Sequence, residues 1–296
     1  LQIFFEVVLP VVLVFALGFL IQKWKSVDIK PISTVAIYVM TPCLVFDTLY
    51  HATLNMQYAY MLIFAIMLLL ILIILNKLVS FFFKLSPEKE TGIILSTAFM
   101  NAGNYGAPIV LFAFGEEGFA YAVTLMVIQS VIMNSFGVYY ATKGRGTMIQ
   151  ALKVVVTMPA TWALAAALLA QFLPAMPVAI TDVTEMVGIA TIPTVMIVLG
   201  MQLAQIPLRG FEWKKISYNT VIRLLISPLI AVGLTSVLPI EPLLANVLIL
   251  TAAMPTAANI VMFSVQFNAQ PRLVASTTLV TTLISIPTVT ILLAIL

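Results

Sequence analysis

The chain has 296 residues, 62% of them hydrophobic and only 8% charged, with a mean hydropathy of +1.14 and a formal net charge of +3. A soluble domain carries about 25% charged residues, and this chain has too few polar groups to cover a water-facing surface, so the composition specifies a polytopic membrane protein. A single cysteine (Cys43) and a single histidine (His51) exclude an internal disulfide framework, a multi-cysteine zinc site and a two-histidine metal site.

A helix needs about 20 apolar residues to cross the roughly 30 Å hydrocarbon core. Runs of that kind, separated by charged or turn-forming breaks, predict ten spans at 4–21, 32–50, 58–79, 92–114, 119–141, 154–172, 183–204, 216–238, 244–265 and 273–296. The first carries Glu6 where a signal peptide would be basic and is followed by a lysine cluster, so it is expected to remain a span. The second holds Thr41-Pro42-Cys43-Leu44-Val45-Phe46 and, near its outer end, Asp47, expected at the interface with gating as the alternative. The fourth is interrupted by Asn101-Ala102-Gly103-Asn104-Tyr105-Gly106-Ala107-Pro108. In the fifth, Gln129, Ser130 and Asn134 recur at near-helical spacing, as do Thr281, Thr282 and Ser285 in the tenth; both sets suit inter-helix hydrogen bonds or the lining of a cavity. The eighth carries Arg223, about 12 Å along a helix from Lys215; snorkelling to the interface, a counter-charge for an anion and an inter-helix tie all fit it. The ninth is broken by Pro255-Thr256-Ala257-Ala258-Asn259. The fifteen methionines are scattered and read as packing material rather than a copper path.

Thirteen of the fourteen lysines and arginines fall in alternate loops, including Lys143, Arg145, Lys153 and Arg209, while the other side carries acidic residues such as Glu116, Glu117 and Glu241. Positive charge favours cytoplasmic loops. With ten spans, both termini are therefore expected outside the cytoplasm, in a plasma-membrane protein. Net basicity here concerns the bilayer, and no nucleic acid partner is expected.

Five spans per half is an odd number, so two homologous halves, residues 1–142 and 143–296, would insert with opposite orientation, an arrangement found in many secondary transporters. An offset of 155 positions aligns Asn104 with Asn259, Pro87 with Pro242 and Ser130 with Ser285, and an offset of 151 aligns Pro42 with Pro193. Two breaks at matched positions point to a binding site. Proline and glycine weaken the helix, and freed backbone groups are tolerated at membrane depth only where protein or a cavity receives them. Beyond each break a half-helix starts with unpaired N–H groups and about half a positive charge. Two such ends favour an anion, and the amides of Asn101, Asn104 and Asn259 add donors. The half-helices before the breaks end in carbonyls that suit a cation, yet no carboxylate lies at that depth. The dull reading of each break is a packing kink.

The Asn-Ala-Gly-Asn-Tyr-Gly-Ala-Pro segment, Met254-Pro255-Thr256-Ala257-Ala258-Asn259, the Thr41–Phe46 segment and Arg223-Leu224-Leu225-Ile226-Ser227-Pro228 together resemble the auxin efflux carrier family. The resemblance implies an all-α fold of ten helices in two inverted five-helix repeats, with helices 4 and 9 broken and crossed. It further implies a scaffold of spans 1, 2, 6 and 7, a mobile transport domain of spans 3–5 and 8–10, and small organic carboxylates as substrates. The long central loop of plant members is missing, which favours a compact prokaryotic type. The candidate substrate-binding residues are Asn101, Asn104, Tyr105, Pro108, Gln129, Arg223, Pro255, Thr256, Asn259 and Ser285. Expected partners are a small organic anion and the lipid bilayer, with a homodimer through the scaffold helices left open; no cofactor and no metal are expected. The alternatives are a sodium-coupled symporter of the bile-acid carrier type and a channel. An intramembrane enzyme has no visible machinery: there are no paired intramembrane aspartates and neither His-Glu-x-x-His nor Gly-x-Ser-x-Gly occurs.

Overall fold

Capping residues and prolines start the helices where the apolar runs begin. In the computed structural model, which describes residues 2–53, 55–142, 156–207 and 210–296, the described residues outside turns and short breaks are helical. The basic residues Lys143, Arg145, Lys153 and Arg209 lie outside the described residues. Among the described residues fourteen α-helices follow in chain order: α1 Leu9–Lys25, α2 Ile29–Val35, α3 Thr41–His51, α4 Met56–Phe82, α5 Pro87–Thr97, α6 Ala107–Ile132, α7 Val138–Ala141, α8 Pro159–Ala170, α9 Val178–Ala204, α10 Trp213–Val221, α11 Ser227–Val237, α12 Pro242–Ala252, α13 Ala258–Gln266 and α14 Pro271–Leu293. The side chains of Asp28 and Asn55 accept the backbone N–H groups of Lys30 (3.1 Å) and Gln57 (3.0 Å) at the starts of α2 and α4. Proline opens α5, α8, α12 and α14, where its missing N–H is no loss.

Of five π-helical turns among the described residues, four, Phe4–Val8, Ala36–Met40, Ala102–Gly106 and Ile222–Ile226, each end two residues before a proline (Pro10, Pro42, Pro108 and Pro228), and the fifth, Met133–Gly137, does not. A proline ring collides with the carbonyl four residues back. In each case the residue just before the proline donates five residues back instead (Thr41 N–H to the Ala36 carbonyl, Ser227 N–H to that of Ile222), widening the turn and letting the helix continue. At these four prolines the helix shifts its register and continues, whereas Pro193 and Pro287 lie inside helices with no such turn before them.

Seven continuous helices among the described residues are long and apolar enough to cross a bilayer: Phe4–Lys25, Ile29–His51, Met56–Phe82, Ala102–Ala141, Val178–Ala204, Trp213–Val237 and Pro271–Leu293. The shorter apolar helices α8 and α12 do not reach that length. One of the seven, Ala102–Ala141, takes in parts of two predicted spans, which meet at a kink at Gly115, whose backbone is non-helical (φ 66°, ψ −165°). Predicted spans four and nine each appear as two helices, α5 with the start of α6, and α12 with α13.

Close helix approaches occur at glycine. A Cβ on Gly18 would collide with the Ile197 carbonyl, and one on Gly200 with the Phe15 carbonyl, so α1 and α9 pack backbone to backbone. Gly188 of α9 gives the same access to Leu44 of α3, whose Cα would lie 3.1 Å from an added Cβ. On the other side of the molecule, α14 packs against α5, α10 and α13. The apolar core runs through both regions, and the two helix breaks lie within it.

Candidate functional site

Both breaks are unwound chain, and each supplies what the other lacks. After α5 ends at Thr97, the Asn101 N–H donates to the Pro255 carbonyl (2.9 Å), and the Ala257 N–H donates to the Phe99 carbonyl (3.0 Å). Met100 and Thr256 form an antiparallel bridge between these two bonds. Backbone groups freed by proline and glycine are satisfied by this cross-pairing rather than exposed to lipid. The Thr256 hydroxyl donates to the Ser96 carbonyl at the end of α5 (2.6 Å), and Thr281 Oγ1 accepts the Thr256 N–H (3.3 Å).

Past the bridge, the chain resumes as helix at Ala102 and at Ala258. The N–H groups of each first turn have no acceptor within their own helix and carry the positive end of its dipole. These two starts border one cavity of about 100 Å³, lined among others by Asn101, Asn104, Gln129 and Asn259. Asn101 is 5% exposed, and its Nδ2 is buried with no hydrogen-bond partner. A buried amide donor left unmet costs about 1–3 kcal/mol, so this group marks a place where an acceptor belongs. Among the described residues, no charged side chain lines the cavity.

Four of the ten predicted residues therefore meet at one cavity. The other six do not line it. Pro255 and Thr256 form the cross-pairing. Tyr105 is fully buried, ring-packed against Phe15 (5.2 Å between centroids), with its hydroxyl accepting from Ser285 Oγ (2.9 Å). Pro108 is buried in the first turn of α6. Arg223 is 0% exposed, so its side chain does not snorkel to the interface. It donates through Nη1 to the Thr97 carbonyl (2.8 Å) and through Nη2 to the Ala252 carbonyl and Ser227 Oγ.

The cavity also takes in residues outside the ten candidates. Thr41 and Ser130 line it, and so do the side chains of Met100, Met126, Met133 and Met158. The first turn of α8, at Pro159, is a third helix N-terminus at its edge; the Met-Pro pair at a helix start was the available signal. Asn134, read with Gln129 and Ser130, instead binds the Ser130 carbonyl (2.8 Å) and Met158 Sδ (3.3 Å).

Larger cavities lie elsewhere in the molecule. One of about 530 Å³ holds Asp47, His51, Glu116 and Glu117 over a floor that includes Leu44 and Leu111. Another of about 580 Å³ is mostly apolar, holds Gln202 and Arg272, and shares Ala258 with the central cavity. Asp47 lies beside His51 (3.6 Å), in the acidic cavity and away from the crossover.

The chain is similar to known membrane transport proteins. The family described as Membrane transport protein matches residues 3–153 and 147–293. An uncharacterized transporter of Methanocaldococcus jannaschii is 26% identical over 95% of this chain and 95% of its own length. An uncharacterized transporter of Methanothermobacter thermautotrophicus is 27% identical over 95% of this chain and 94% of its own.

Proposed function

The chain belongs to the membrane transport protein family, the auxin efflux carrier family that its motifs resemble, and from that premise we propose a secondary carrier that moves small organic carboxylates by alternating access. The observation that carries this reading is the crossover cavity. There an unpartnered buried amide, two further asparagines and the N-termini of two half-helices converge, with no charged side chain among the described residues to balance them. Such a site favours an anion. Its positive potential comes from helix ends and is modest, and thioethers cover much of the remaining wall. A small monocarboxylate with an apolar body matches that lining better than a dianion does.

The architecture proposed for this work is ten crossings in two inverted repeats, 1–142 and 143–296. A 40-residue helix such as Ala102–Ala141 would be about 60 Å long if straight, twice the bilayer core, and Gly115 divides it. Counting it twice, and adding the α5 half-helix to its first part, α8, and the α12–α13 pair, supports ten. The backbone contacts of α1 with α9, and the packing of α3 on α8 and α9, support a scaffold of spans 1, 2, 6 and 7. The remaining spans, packed on one another around the crossover, would move as the transport domain. The bias of basic residues supports a plasma-membrane orientation with both termini outside the cytoplasm.

The test is counterflow. Purified protein in liposomes loaded with one carboxylate at a time should take up its labelled form from outside, with saturation and with exchange dependent on the internal anion. A flux that rises linearly with concentration and ignores the internal anion would indicate a channel. Absence of carboxylate flux across a panel of mono- and dicarboxylates would refute the carrier reading.

A further inference from the structure

The crossover has a second electrostatic half. While α6 and α13 present helix N-termini to the cavity, α5 and α12 end at the same crossover in carbonyls, at Thr97 and Ala252. Each C-terminal end carries about half a negative charge, so the pair amounts to about one unit. Left bare at membrane depth, such ends form a seat for a cation. One guanidinium occupies it: Arg223 donates to the last carbonyl of α5 (2.8 Å) and to the last carbonyl of α12, and Ser227, one turn along, donates to the same Ala252 carbonyl (2.8 Å). Arg223 is fully buried, and among the described residues no carboxylate pairs with it. Among the described residues its counter-charge is the two helix ends.

We propose that Arg223 is a resident cation of the crossover: its guanidinium fills, within the fold, the seat that a bound metal cation would otherwise occupy between the two half-helix ends. The planar fork reaches two carbonyls on separate helices together, which a lysine ammonium does less well. It also fastens α5 to α12 where both end at the crossover, so the two half-helices move as one body. Arg223 is a positioning residue. It does not line the cavity and acts through the helix ends. Two consequences follow. The wild-type protein needs no sodium at the crossover, and removing the side chain creates a vacant cation site of guanidinium shape. The transport consequence rests on the carrier reading; the structural one does not.

The experiment follows thermal unfolding of wild type, Arg223→Lys and Arg223→Ala while millimolar guanidinium, sodium or choline chloride is titrated. The wild-type curve should be the same in all three salts. Arg223→Ala should unfold at lower temperature, with guanidinium restoring part of the loss saturably and choline restoring none; Arg223→Lys should fall between. The proposal is overturned if guanidinium does no more for Arg223→Ala than choline, or if sodium saturably stabilises wild type. Should Arg223→Ala fail to fold, the wild-type titration decides alone. In liposomes, wild-type counterflow should be equal with sodium or choline outside, and a dependence on sodium of about tenfold or more, some 1.4 kcal/mol, would contradict the proposal. Because the unfolding arm uses no substrate, a protein that moves no carboxylate would sink the carrier reading while this inference is still decided by the unfolding curves.

Discussion

Asn101 separates a site from a scaffold. Its Nδ2 is buried without an acceptor at the crossover cavity, while its backbone N–H is committed to the Pro255 carbonyl. Leucine keeps the branching at Cγ and the backbone bond but removes the unmet donor. If the amide is there for a ligand, Asn101→Leu should stabilise the empty protein by up to about 1–3 kcal/mol, the cost of a buried unsatisfied polar group, less whatever strain the bulkier methyl groups add. The same change removes one hydrogen bond to a charged acceptor, about 1.5–3 kcal/mol, so carboxylate affinity should fall roughly ten- to hundredfold. Thermal unfolding in detergent, with and without a carboxylate that stabilises wild type, reads both effects. The expected result is a higher unfolding temperature without ligand and a much smaller ligand-induced rise. A variant that is less stable when empty and binds the carboxylate normally would show that Asn101 holds the fold and not the substrate.

Three further outcomes are expected. Gly200→Leu, which would drive a side chain into the Phe15 carbonyl, should separate α1 from α9 and cost at least about 1–3 kcal/mol, seen as a lower unfolding temperature; Gly233→Leu, where an added Cβ meets nothing, is the control. Cysteines introduced at Glu117 and Glu241 in a Cys43→Ser background should react with an impermeant reagent from outside intact cells, and one at Lys84 should not; the reverse pattern would overturn the orientation. Asp47→Asn should leave the pH dependence of flux unchanged for a permanently charged substrate, because Asp47 pairs with His51 in the acidic cavity rather than at the crossover; a lost titration would make it a coupling group.

The position of the two helix breaks was readable because proline, glycine and asparagine are conspicuous in an apolar run. Asn101, Asn104 and Asn259 stood out for that reason and do share a cavity with Gln129. What the two breaks do to each other was not readable. An unwound segment has no period from which to infer direction, so nothing in Pro255-Thr256 announced that these residues pair with Phe99–Asn101 and cap Ser96 instead of facing the cavity. Arg223 suited snorkelling by its distance from Lys215, and only the ends of α5 and α12 beside it reveal the tie. Methionine is equally at home as packing and as a cavity wall, so the thioether lining carried no signal of its own. Span edges were blurred where one helix runs through a turn, as at Gly115.

The central claim is that asparagine amides and half-helix N-termini hold a carboxylate at the crossover. Its most direct test is the carboxylate affinity of purified Asn104→Ala and Asn259→Ala beside wild type, with Lys84→Ala as a control away from the cavity. Each asparagine variant should fold and bind roughly ten- to hundredfold more weakly, as expected for loss of one charge-assisted hydrogen bond. Aspartate at either position should bind more weakly still, by setting negative charge against the substrate's own, and Lys84→Ala should bind as wild type does. Folded Asn104→Ala and Asn259→Ala proteins that bind the carboxylate with unchanged affinity would contradict the account.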